Sequence, residues 1–170
     1  MDTKLILKFA GVVGSIFLLA ACASTNDIGI AQQDDGVYSE NIGPAGAIPG
    51  SQEDLEQNAG HRVFFGLDQY TLTPQAQATL ARQAAWLKQY PETRITVSGN
   101  CDERGTREYN LALGARRAEA ARAYLASLGV DSARVTTVSY GKERPIDPRS
   151  TGEAWSLNRN ATTSIVGLGS

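Results

Sequence analysis

Asp102, Glu103 and Arg104 stand in a polar loop, Asn100 to Gly105, and Arg117 follows along the next helical stretch. In a helix beginning near Thr106, Arg117 falls on the interior stripe, four residues after Leu113 and three or four before Ala120 and Ala121. A guanidinium directed at a core edge is costly unless paired. An acid and a base that converge where a helix begins suit a zwitterionic ligand. Arg grips a carboxylate in a fork, Asp takes an ammonium or amide N–H, and the backbone N–H groups favour anions. An internal Asp102–Arg117 salt bridge with no ligand accounts for the same spacing.

Other chemistries find few parts. The 170 residues hold one His and two Cys, which excludes a multi-His metal site, a four-cysteine zinc site and a disulfide-stapled scaffold. No metal or cofactor is expected. A hydrolase would have to use Cys101 with His61, or Asp102 with Glu103. Adjacent acids point to different sides of a regular backbone and cannot flank one glycosidic bond. His61 sits at the edge of a linker with no orienting partner near Cys101. No catalytic residue is assigned, and Cys101 reads as a small buried side chain.

The elements that must position the loop alternate between strand and helix. Arg62–Leu67 is a short apolar strand. Thr73-Pro74 caps a helix that ends near Tyr90, with Leu80, Ala84 and Leu87 on its inner stripe. Arg94–Ser98 is a second strand. A long helix runs from Thr106 to Leu128, with Gly129 after its end and a stripe through Leu113, Ala120, Ala121, Tyr124 and Leu128. Arg134–Tyr140 is a third strand, Glu153–Arg159 a short helix and Thr162–Val166 the closing strand. The order β-α-β-α-β-(short α)-β predicts a compact α/β sandwich, with helices on one face of a small mixed sheet. Trp86 and Tyr90 read as packing and Trp155 as a cap over the core beside the final strand.

Two segments precede that domain, which is expected to span 61–170. Lys4 and Lys8 introduce an uncharged run, Phe9–Ala21, too short to span a bilayer and suited to a signal peptide. It ends in Leu19-Ala20-Ala21-Cys22, which resembles the bacterial lipobox, with Cys22 as the lipidated residue and 1–21 as the removed leader. Ala23 is not the Asp that favours inner-membrane retention in enterobacterial lipoproteins, so the resemblance implies the outer membrane. Residues 22–60 then read as the lipidated N-terminus and a flexible tether, whose seven acids have no Lys or Arg among them. Subtracting both segments leaves 14 basic and 10 acidic residues in 61–170. The excess is too interspersed for nucleic acid and suits a carboxylate-bearing ligand.

Residues 99–118, Gly-Asn-Cys-Asp-Glu-Arg-Gly-Thr-Arg-Glu-Tyr-Asn-Leu-Ala-Leu-Gly-Ala-Arg-Arg-Ala, resemble the signature of the OmpA-like peptidoglycan-binding domain family. Val63–Tyr70, Val138–Pro145 and Glu153–Arg159 resemble three further family motifs in the right order. The resemblance implies a domain that binds, without cleaving, the peptidoglycan stem peptide at meso-diaminopimelate. In its lipid-anchored members it also implies partnership with TolB and the other Tol-system proteins, in support of envelope integrity and cell division. By motif position, Asp102 and Arg117 would hold the diaminopimelate head group. Arg104 and Asp68 would complete the pocket, and Leu67 would give backbone and an apolar wall. A wall-binding lipoprotein outside the Tol system is the alternative. Asn100, Ser98 and Asn160 depart from the commonest family pattern, as does Gly66. Asn160 replaces an Arg, and the Thr162-Thr163-Ser164 that follows is unusually polar for a closing strand.

Overall fold

A computed structural model describes residues 46–168. The leader, the lipidated Cys22 and the first part of the tether, 22–45, lie outside the described residues. The ordered elements are α1 (Gln52–Asn58), β1 (Arg62–Phe64), α2 (Pro74–Gln89), β2 (Thr93–Asn100), α3 (Arg107–Ser127), a 3-10 turn (Ser132–Arg134), β3 (Val135–Gly141), α4 (Gly152–Asn158) and β4 (Asn160–Leu168). One mixed sheet has the order β1-β4-β2-β3. β4 is antiparallel to both its neighbours, while β2 and β3 run parallel across the α3 crossover. The expected sandwich forms.

The helix bounds follow from their capping chemistry. The Thr73 side chain accepts from the Ala76 N–H, with Pro74 in the first turn, and Thr106 caps α3 in the same way through Tyr109. At the far end of α3, Gly129 adopts φ 89°; its N–H reaches the Ala126 carbonyl and that of Val130 the Leu125 carbonyl. That paired closure requires a left-handed residue.

Inward residues of β2, Ile95 and Val97, meet Leu80, Ala84 and Leu87 of α2 and Ala118, Ala121 and Leu125 of α3 in one buried core. The α3 stripe is rotated from its expected course. Ala118 and Leu125 are fully buried, whereas Ala120, Tyr124 and Leu128 are only half-buried. The cause is a close approach of α3 to β2: a Cβ on Gly99 would stand 1.8 Å from the Gly114 carbonyl oxygen. Backbone contact at the glycines brings Gly114 to the sheet and leaves Ala120 half-buried, while Arg117 is interior as its spacing predicted.

The tether boundary at 60 is corrected. Ser51 caps α1, and Leu55 and Ala59 are buried in the domain core. The Asp54 carboxylate accepts hydrogen bonds from the Gly50 N–H (2.8 Å), Trp86 Nε1 (3.0 Å) and Asn58 Nδ2 (2.5 Å). One short amphipathic turn among Gly, Asn and Gln was too brief for periodicity to reveal. The start of this segment lies against Tyr90, at the pole where β2 begins. Eight residues on, β2 ends at the opposite pole, about 25 Å away.

The polar closing strand is satisfied by polar partners. Thr163 Oγ1 donates to Gln83 Oε1 (2.8 Å), and Gln83 Nε2 donates to the Gly60 carbonyl (2.7 Å). Asn160 is fully buried and accepts from Asn100 Nδ2 at 2.9 Å.

Candidate functional site

At the far pole, the loop after β2 meets the N-terminus of α3, the loop after β1 and the end of α4. They enclose a cleft of about 220 Å³ lined by Leu67, Asp68, Asp102, Arg104, Arg117 and Arg159, among others. All five residues expected to bind a ligand are therefore brought to one place. Three guanidiniums and two carboxylates line it.

Asp102 is 5% exposed, with a fixed carboxylate. Arg104 donates to both its oxygens, Nε to Oδ1 at 3.1 Å and Nη2 to Oδ2 at 2.7 Å. The Arg104 backbone N–H and Arg159 Nη1 add bonds at 3.2 Å each. Burial alone would raise the Asp102 pKa, but the bonds from Arg104 and Arg159 outweigh it and hold the carboxyl below its ordinary value. The loop is braced from behind. The Arg104 guanidinium lies 4.1 Å from the centre of the Trp155 ring, and Trp155 Nε1 donates to Glu103. Trp155 thus supports this loop and does not cap the core, a correction that follows from α4 ending beside the cleft. Lys142 Nζ closes the turn on the carbonyls of Glu103 and Gly105.

Arg117 reaches the cleft wall but forms no salt bridge with Asp102. It is fully buried, and its Nε donates to the Gln69 carbonyl (2.8 Å). Nη1 donates to the Asn100 carbonyl (2.7 Å) and Cys101 Sγ (3.4 Å), and Nη2 to the Gly66 carbonyl (3.1 Å). Four of its five N–H groups are engaged within the protein, leaving one on Nη2. Burial lowers its pKa from a value so high that it stays charged. The charge therefore arrives in the cleft as a positive potential more than as a free fork. Cys101 is buried beside it, and burial raises its thiol pKa. The group is a neutral filler.

Arg159 was quoted within a motif but not assigned to the site. It bridges the Phe65 carbonyl, Ser156 Oγ and Asp102 Oδ2. Its signal in the sequence was a cation at the end of α4, but its partner is 57 positions away. At the rim, Asp68 adopts φ 55° and accepts from the Tyr109 hydroxyl, while Leu67 is 61% exposed. Among the described residues, no cluster of His, Cys, Asp and Glu could hold a metal.

Residues 64–159 match the OmpA family, a span that contains every residue of this cleft. The chain is 55% identical over 128 residues to the peptidoglycan-associated lipoprotein of Mesorhizobium japonicum, covering 75% of this chain and 76% of that one. It is 49% identical over 152 residues to the one from Rhizobium meliloti, covering 89% and 84%. The crystal structure of the peptidoglycan-associated lipoprotein from Burkholderia pseudomallei superimposes with a TM-score of 0.60 at 45% identity, covering 62% of this chain and 89% of that one. Fold and sequence similarity agree: the chain belongs to the OmpA family, in the group of the peptidoglycan-associated lipoproteins.

Proposed function

We propose that this chain is an outer-membrane lipoprotein, acylated at Cys22 and facing the periplasm, that binds peptidoglycan without cleaving it. The ligand is the stem peptide at meso-diaminopimelate, and the binding ties the outer membrane to the cell wall. TolB and the other Tol-system proteins are its partners, in support of envelope integrity and cell division.

The observation that carries the reading is the charge arrangement of the cleft. Arg104, Arg117 and Arg159 exceed Asp68 and Asp102 by one positive charge, which suits a ligand with both signs and a surplus of carboxylate. The remaining donors of Arg104 and Arg159 meet the carboxylate, Asp102 holds those two guanidiniums in place, and Asp68 at the rim takes the ammonium. Leu67 covers the aliphatic chain between them. No activated nucleophile lines the cleft: the thiol of Cys101 is buried and kept protonated.

Sedimentation with purified sacculi tests the assignment. Charge-assisted hydrogen bonds contribute about 1.5–3 kcal/mol each, so Asp102→Ala should weaken binding roughly ten- to hundredfold. Undiminished sedimentation removes Asp102 from the site. Release of soluble muropeptides by the intact protein contradicts a binder that does not cleave, and crosslinking that captures no Tol component contradicts the partnership.

A further inference from the structure

The face of the sheet turned away from the helices carries a second groove. Thr96 and Ser98 of β2 with Thr162 and Ser164 of β4 line it with short hydroxyl side chains, and the exposed Ile146 and Val166 add two apolar ones. Its two sides rise as arginines. Arg62 stands on the β1 edge, with Nε donating to Thr162 Oγ1 at 3.0 Å. Arg144 lies beyond the β3 edge, its guanidinium 3.6 Å from the centre of the Tyr140 ring. Three strand spacings separate the outer strands, about 14 Å. The groove encloses about 350 Å³, and no Asp or Glu lines it. Among the described residues, no ion pair uses Arg62 or Arg144. Glu143, the nearest acid in sequence, is engaged by Arg107 instead.

A shallow trough across four strands, lined by hydroxyls with two apolar side chains and cationic on both sides, fits an extended chain that carries carboxylates. A bilayer surface needs a convex relief and a larger projecting apolar face than Ile146 and Val166 supply. Neutral glycan gives the two arginines nothing to neutralise. We propose that this groove is a second wall contact, taking the carboxylates of a peptidoglycan stem peptide other than the one in the cleft. The inference rests on the wall-binding reading above. Two contacts on one domain make the second encounter intramolecular, so individually weak sites act together on a polymeric wall.

The test uses the full chain carrying Arg62→Gln and Arg144→Gln together, compared with wild type. Both side chains lie on the open face, and an unchanged melting temperature establishes that the fold is intact. Affinity for one soluble stem tripeptide at the cleft should be unchanged. Sacculus binding should fall about three- to tenfold, with a shallower salt dependence, as expected for exposed guanidinium–carboxylate contacts. Unchanged sacculus binding overturns the groove and leaves the cleft standing. A double variant that loses only binding to phosphatidylglycerol vesicles overturns the wall as occupant. Sedimentation that survives Asp102→Ala but falls when the two arginine changes are added supports the groove and removes the cleft.

Discussion

Arg117 carries a formal charge at full burial with no carboxylate bonded to it, and its neutralisation comes from dipoles. The carbonyls of Gly66 and Gln69, in the loop after β1, and of Asn100, at the end of β2, converge on it. Replacing it with Met leaves three acceptors unsatisfied, each worth about 1–3 kcal/mol. Arg117→Met is therefore expected to destabilise the protein by at least about 3 kcal/mol and lower its melting temperature by about 10 °C or more. Asp102→Asn should spare the fold far more while still weakening sacculus binding; calorimetry beside sedimentation separates the two. Acid sensitivity follows from the same residues. Asp102 and Asp54 both titrate below the ordinary carboxylate value in the folded chain, so their stabilisation is present above about pH 4 and lost as pH falls through the folded values. His61, held below its usual value mainly by burial, adds a small earlier decline below about pH 6.5. Thermal melting from pH 7 to pH 2 should show that profile, with a shallower acid limb in Asp102→Asn. The acid–base constellation was legible from Asp102 in the loop and Arg117 on the interior stripe of the helix after it, but the two do not bond each other: Arg104 and Arg159 hold Asp102 instead. Arg159 was not legible, since sequence spacing says nothing about which distant loop a side chain enters. Asn100 and Asn160 each looked like an unexplained departure; 60 positions apart, they are one hydrogen-bonded pair.

At the scale of elements, the cleft depends on how closely α3 approaches β2. Gly99 and Gly114 let the two backbones meet, and a Cβ on Gly114 would stand 2.3 Å from Ser139 Oγ and 2.8 Å from the Gly99 carbonyl oxygen. Gly114→Ala must push α3 outward, at a cost of about 1–3 kcal/mol. Arg117 lies three residues along the same helix, so stem-peptide affinity should fall with stability, and denaturant unfolding alongside a binding titration checks both. Helix and strand identities were legible from caps and alternation, as at Thr73-Pro74 and Thr106. The rotation of α3 was not. A stripe counted from Leu and Ala assumes that side chains set the contact, and here two glycines do.

For the whole molecule, the folded unit reaches back beyond the boundary that composition suggested. A chain starting at residue 61 lacks α1, and with it the fully buried Leu55. Removing one such leucine side chain costs about 2–5 kcal/mol. A 61–170 fragment is thus expected to unfold at clearly lower urea concentration than a 46–170 fragment, and equal midpoints would show α1 to be dispensable. The sequence could not announce this helix, because seven residues give too few turns for a period and the partners of its Asp54 carboxylate, Trp86 and Asn58, are neutral. Its place also bears on tension. The start of α1 and the cleft lie at opposite ends of β2, yet the chain leaving α1 enters β1, whose ladder to β4 spans only Arg62–Phe64. On the wall-binding reading, a pull between membrane and wall would reach α1 first and that short ladder next. α1 stands between the tether and the sheet, so its unfolding would lengthen the link before β1 is loaded.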